Sequence, residues 1–115
     1  MAYVDGFVIP VPKKNVAQYL KLARLGFKIW MKHGALDYKE CVADDLKPGG
    51  MPSAFPTMVK LKPGETIVFS YIVYKNRAHR DRVNKKVMKE MGNEPPPMPF
   101  DMKRFAYAGF KVVVG

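Results

Sequence analysis

A strand, a helix and a strand, followed by the same three elements again, is the pattern that most limits what this chain can fold into. Tyr3 to Val11 is an extended apolar run, residues 13 to 33 have helical periodicity, and Leu36 to Ala43 alternate as a strand. Thr66 to Tyr74, Asn76 to Met91 and Phe105 to Val114 repeat that order. Two short βαβ halves with no room for a larger sheet predict an α+β fold, a ferredoxin-like split-βαβ sandwich with both helices on one sheet face. A chain of 115 residues is expected to form one domain over residues 1–115. The fold hosts many unrelated functions, so it cannot choose one.

Composition excludes several classes. Hydrophobic residues at 48% and charged residues at 26% are ordinary for a globular chain, not a disordered one. No stretch approaches a membrane span, and the opening MAYVDGFVIPV has no basic leader, so a cytoplasmic protein without a membrane partner is expected. The single cysteine, Cys41, excludes an internal disulfide, and its place in a strand predicts a small buried hydrophobe. His33 and His79 stand far apart with no Cys or carboxylate cluster beside either, so no metal is expected. The chain has no Ser/His/Asp or Cys/His arrangement, phosphate loop or dinucleotide fingerprint, and no cofactor is expected.

The net charge of +10 sits on the helices. Residues 13 to 33 carry six basic groups and no acid, and residues 75 to 93 carry seven against Asp81 and Glu90, so the rest of the chain is slightly acidic. A basic helical layer attracts polyanions, and an RNA- or anion-binding module is one reading of it. A solvated face that keeps the protein soluble is the other. The basic stretches lack interleaved exposed aromatics, which favours weak, non-specific nucleic-acid binding at most.

On the first helix, Val16, Tyr19, Leu20, Ala23, Phe27 and Trp30 form one apolar arc. Leu22, Leu25 and Ile29 form a second arc, which the loop of residues 46 to 63 or a partner subunit is expected to cover. On the second helix the stripe is Val83, Val87 and Met91 flanked by Met88, with Arg80 and Asn84 at the seam with the sheet. Asn76 is placed to cap this helix and Gly34 to end the first. Residues 46 to 64 read as a long loop with a short helical turn around Ala54 to Val59, and residues 92 to 99 as a polyproline spacer.

Both alternations along the strands are apolar. Val4, Val8, Ile67, Phe69, Tyr71, Val73, Ala106, Ala108, Phe110 and Val112 read as the core under the helices. The other set mixes aromatic, apolar and polar residues: Tyr3, Asp5, Phe7, Ile9, Tyr38, Glu40, Ser70, Ile72, Tyr74, Tyr107 and Lys111. Such a face meets another subunit or encloses a polar-rimmed pocket, which predicts a homodimer and a small-molecule ligand. Its candidate ligand-binding residues are Asp5, Tyr38, Glu40, Ser70, Tyr74 and Tyr107, with His33 at most on the rim. An Asp5–Lys111 ion pair is the structural alternative for those two residues. Glu40 has no evident partner, and a closed cavity would raise its pKa. No residue is singled out as catalytic.

The opening YVDGFVIPVP, the helix end HGAL, the Glu40-Cys41 and Asp44-Asp45 stretch, and the run MPFDMKRFAYAGF together resemble the YbaA-like bacterial family, a domain of unknown function. The resemblance spans nearly the whole chain, with Ala108-Gly109-Phe110 where the family pattern has Gly-Gly-Phe. It implies the dimeric α/β-barrel superfamily, in which two ferredoxin-like sheets face each other across a two-fold axis. It implies no established activity. Haem-degrading members of that superfamily carry an asparagine on the first strand, where this chain has Asp5, which argues against haem.

Overall fold

Four alternating segments become strands: β1 (Tyr3–Pro12), β2 (Asp37–Val42), β3 (Glu65–Tyr74) and β4 (Ala106–Lys111). They pair antiparallel in the order β2-β3-β1-β4. The long helices are α1 (Val16–Lys32) and α3 (Arg77–Met91), and a single turn, α2 (Phe55–Met58), interrupts the long loop. The computed structural model describes residues 1–92 and 97–115. The polyproline expectation for residues 92 to 99 therefore falls largely outside the described residues.

Local signals set the element ends. The Asn76 side chain accepts the His79 N–H at 2.8 Å, capping α3. Gly34, with φ of +110°, ends the turn after α1 in a backbone region that favours glycine. The described part is a mixed α+β arrangement compatible with a ferredoxin-like fold. Among the described residues no helix is long and apolar enough to cross a membrane.

The two sheet faces are the reverse of the expected assignment. α1 and α3 lie over the mixed set, so Tyr3, Ile72 and Tyr74 pack with Ile29, Val83 and Val87. Ile9, Val11 and Val68 pack with Tyr19 and Ala23. The set expected under the helices faces the other way. There Val8 and Ile67 are covered by Val59 from the long loop, with Leu46 and Leu61 beside it. That cover reaches only part of the face, and Phe69 and Phe110 stay 42% and 58% exposed.

Alternation could not decide between two apolar faces. The choice follows from the polar groups on the helices, because Arg80, Asn84 and Tyr19 need partners, and only the mixed face supplies them. The loop therefore does not cover the second arc of α1. Leu22 and Leu25 border a pocket open to solvent instead, while Ile29 joins the core and Phe27 is 44% exposed. Cys41 points away from the helices on the edge strand β2 and is exposed, not buried.

Candidate functional site

Register builds the site floor from two rows running across the sheet. One row is Glu40, Ser70, Phe7 and Tyr107; the next is Tyr38, Ile72, Asp5 and Gly109. Between this floor and the two long helices lies a cavity of about 540 Å³. Asp5, Tyr38, Glu40, Ser70 and Tyr107 all border it, so five of the six candidate residues share one space. The sixth, Tyr74, is fully buried beside it. The space lies under the helices of a single protomer. His33 is not among its lining residues and pairs with Glu90 at 2.8 Å.

One end of the cavity is electrostatically closed. Asp5, 1% exposed, accepts from Arg80 Nη1 at 2.8 Å and from the Tyr107 hydroxyl at 3.2 Å. This replaces the expected Asp5–Lys111 pair, because α3 carries Arg80 across the sheet directly above Asp5. The guanidinium also lies 5.0 Å from the Tyr3 ring centre. Burial pushes the Asp5 carboxyl up while Arg80 pulls the other way. Gly109 is required here, since a Cβ on it would run into the Tyr3 ring. The Asn84 side-chain oxygen accepts from Trp30 Nε1 at 3.1 Å and from the Tyr74 hydroxyl at 3.2 Å, joining both helices to β3.

The other end holds a carboxylate with no cation bound to it among the described residues. Glu40 accepts from the Tyr19 hydroxyl at 2.8 Å and from the Tyr38 hydroxyl at 2.9 Å. Burial raises its pKa, the direction expected, although the two hydroxyls oppose that rise. Both tyrosine hydroxyls are pushed upward by burial and by the Glu40 charge, so they stay protonated and act as donors. Gly26 makes this arrangement possible. A Cβ there would stand 2.8 Å from the Tyr38 hydroxyl oxygen.

Sequence reasoning missed the rest of the wall. Segment 98–105 brings Met98, Phe100, Met102 and Phe105 to the cavity, and Met88 and Met91 approach from α3. Phe100 packs edge-on against Tyr19 and Phe105. Arg104 fastens the segment through Glu65, Asp101 and the Lys60 carbonyl, and Asn15 Nδ2 donates to the Pro99 carbonyl at 3.1 Å. The available signal was four large apolar residues closely spaced in MPFDMKRF, more than a plain spacer needs. Among the described residues no group of three or more His, Cys, Asp or Glu is placed to hold a metal ion.

With this geometry in place, comparisons with known proteins are informative. Residues 2–102 match the family described as "Protein of unknown function (DUF1428)". The protein called "Uncharacterized protein YbaA" in Escherichia coli (strain K12) is 39% identical over 119 aligned residues, covering 99% of this chain and 98% of the relative. The protein of the same name in Shigella flexneri matches to the same extent. Among solved structures, "De novo designed protein Foldit4" aligns with a TM-score of 0.48 and 11% identity, over 97% of this chain and 99% of that one. On the family match and the full-length identity, the chain belongs to the DUF1428 family and is a full-length relative of E. coli YbaA.

Proposed function

We propose that the protein is a cytoplasmic small-molecule-binding homodimer, with the whole chain acting as one domain. The cavity of about 540 Å³ carries this reading. Its volume is typical of sites that enclose small ligands, and its walls are mostly apolar with a few convergent polar groups. Asp5, Tyr38, Glu40, Ser70 and Tyr107 are its polar contacts, and Tyr74 fixes Asn84 from behind.

The homodimer would use the open sheet face. Phe69 and Phe110 are exposed on the sheet face opposite the helices, with Tyr71 half-buried on the same face, an apolar surface larger than the long loop covers. Two such faces meeting about a two-fold axis give the dimeric α/β barrel, and would leave each protomer its own cavity. The basic side chains Lys21, Arg24, Lys28, Arg82 and Lys86 are exposed on the helices, where they serve solubility and attract polyanions only weakly.

Titration with the neutral apolar dye Nile red tests the site. One dye should bind per chain with an emission increase, and Leu22→Trp, which fills the space from α1, should lower the affinity at least tenfold. Unchanged binding in that variant would place the dye elsewhere and remove the site. Sedimentation should give about twice the 13.1 kDa chain mass. Phe110→Glu should give folded monomer; a persistent dimer would reject this interface.

A further inference from the structure

Glu40 differs from every other acidic group at the cavity in what it lacks. Asp5 is neutralised by Arg80, whereas among the described residues Glu40 has no cation within ion-pair distance. Its partners are two neutral hydroxyls, from Tyr19 on α1 and Tyr38 on β2. Arg24 and Lys39 border a smaller cleft behind it, but Lys39 is paired with Asp37 at 2.6 Å and Arg24 is exposed. A carboxylate held in an apolar space without a counter-charge is complementary to a ligand that brings one.

We propose that the cavity takes an amphiphilic monoamine, its ammonium on Glu40 and the Tyr19 and Tyr38 oxygens and its apolar body along Ile29, Trp30 and Met88. The assignment rests on the cavity being the ligand site proposed above. An ammonium has three N–H donors, and this end of the cavity offers three acceptors: a carboxylate oxygen and the free lone pairs of two hydroxyls. Tyr38 and Trp30, with ring centres 6.0 Å apart, add aromatic faces that favour a cation. An anionic ligand would meet the Glu40 charge, and Arg80, the cation nearest the opposite end, is spent on Asp5, Asp81 and Tyr107. An alcohol of the same length fills the apolar part but supplies a single donor.

Trp30 is the one tryptophan of the chain and borders the cavity, so its fluorescence reports occupancy. The probes are octylamine, octanol and octanoate, which share a chain and differ in the head group. Octylamine should bind at least about tenfold tighter than octanol, and octanoate weakest. The surface field of a +10 protein opposes this order, so such a preference must arise locally. E40Q should lose the amine preference, bringing octylamine and octanol affinities together. In the wild type, where no variant must fold, the preference should shrink as the pH falls through the raised Glu40 pKa and the carboxylate takes up a proton. The titratable and charged groups facing Glu40 are Tyr19 and Arg24 on α1 and Tyr38 and Lys39 on β2; across the floor lie Asp5 and Tyr107. Of these, Asp5 shares the acidic titration range, its pKa also raised by burial, and it is present in wild type and E40Q alike, so the pH dependence that E40Q removes belongs to Glu40. Equal amine and alcohol affinity, or a preference that survives both E40Q and low pH, overturns the amine assignment and leaves the cavity as a ligand site. No Trp30 response to any probe, together with no Nile red binding, refutes both.

Discussion

Asp5 and Glu40 stand on the same face of the same sheet, on β1 and β2, and burial raises the pKa of both. They solve the same problem differently. Asp5 receives a guanidinium from α3, which makes its end of the cavity a structural clamp between helix and sheet. Glu40 receives hydroxyls that satisfy its hydrogen bonds and leave its charge uncompensated. Removing a partner from a paired buried charge should cost far more than neutralising the unpaired one. The difference separates a residue that holds the fold from one whose charge the fold leaves uncompensated.

The largest expected effect comes from breaking the clamp. Arg80→Met should destabilise the protein by about 3 kcal/mol, since it strands a carboxylate that is 1% exposed. Adding Asp5→Asn to that variant should recover most of the loss, because a neutral amide tolerates burial without a counter-charge. Chemical denaturation of both variants measures this. A loss below about 1 kcal/mol for Arg80→Met would mean that Asp5 is stabilised by other groups and that the two ends do not differ.

A smaller effect is expected from disturbing the Glu40 end through its neighbour. Gly26→Ala should gain about 1 kcal/mol of helix propensity in α1. The new methyl would lie 2.8 Å from the Tyr38 hydroxyl, a rigid group that must then move off Glu40. Crowding of this kind costs about 1–3 kcal/mol, so the net change should be a loss. An NMR titration should show the Glu40 pKa rising further in this variant, because a hydrogen bond to its charged form is gone. A net gain in stability with an unchanged titration would show that Tyr38 adjusts freely.

The doubled element order, the Asn76 cap, the Gly34 helix end and the stripe of α3 were legible because each is a local pattern with a fixed spacing. That these residues share one space was legible too, since period-two alternation groups Asp5, Tyr38, Glu40, Ser70 and Tyr107 on one face whatever covers it. Which face the helices choose was not. Val4, Val8, Ile67 and Phe69 are as apolar as any core strand, and only long-range pairing of Arg80 with Asp5 and of Tyr19 with Glu40 decides the matter. Arg80 and Asn84 were legible as seam residues, and the missing step was to ask which strand residues could satisfy them. Phe7 and Ile72 consequently belong to the interior, and a charge placed there should unfold the protomer rather than split a dimer. The long loop deceived for a related reason. Its apolar residues Leu46, Val59 and Leu61 needed cover, and nothing local says which side of the sheet provides it.

The smallest and most specific effect is expected at Glu40 itself. Its folded pKa lies above the ordinary value of 4.5, with burial as the main cause. Between those two values the folded state holds a proton that the unfolded state releases, so stability falls as pH rises through that window. Above the folded pKa the full penalty is present; below 4.5 it is absent. Glu40→Gln removes the charge while leaving an oxygen to accept from Tyr19 or Tyr38. The variant should therefore be more stable than the wild type near neutral pH, by about 0.5 kcal/mol. The two should converge as the pH approaches 4.5. Asp5 titrates with the same sign in both proteins and cancels from the difference. Thermal unfolding across this range reads the effect directly. A Gln variant less stable than the wild type at neutral pH would mean that the Glu40 charge is already compensated within the folded protein, and the contrast with Asp5 would disappear.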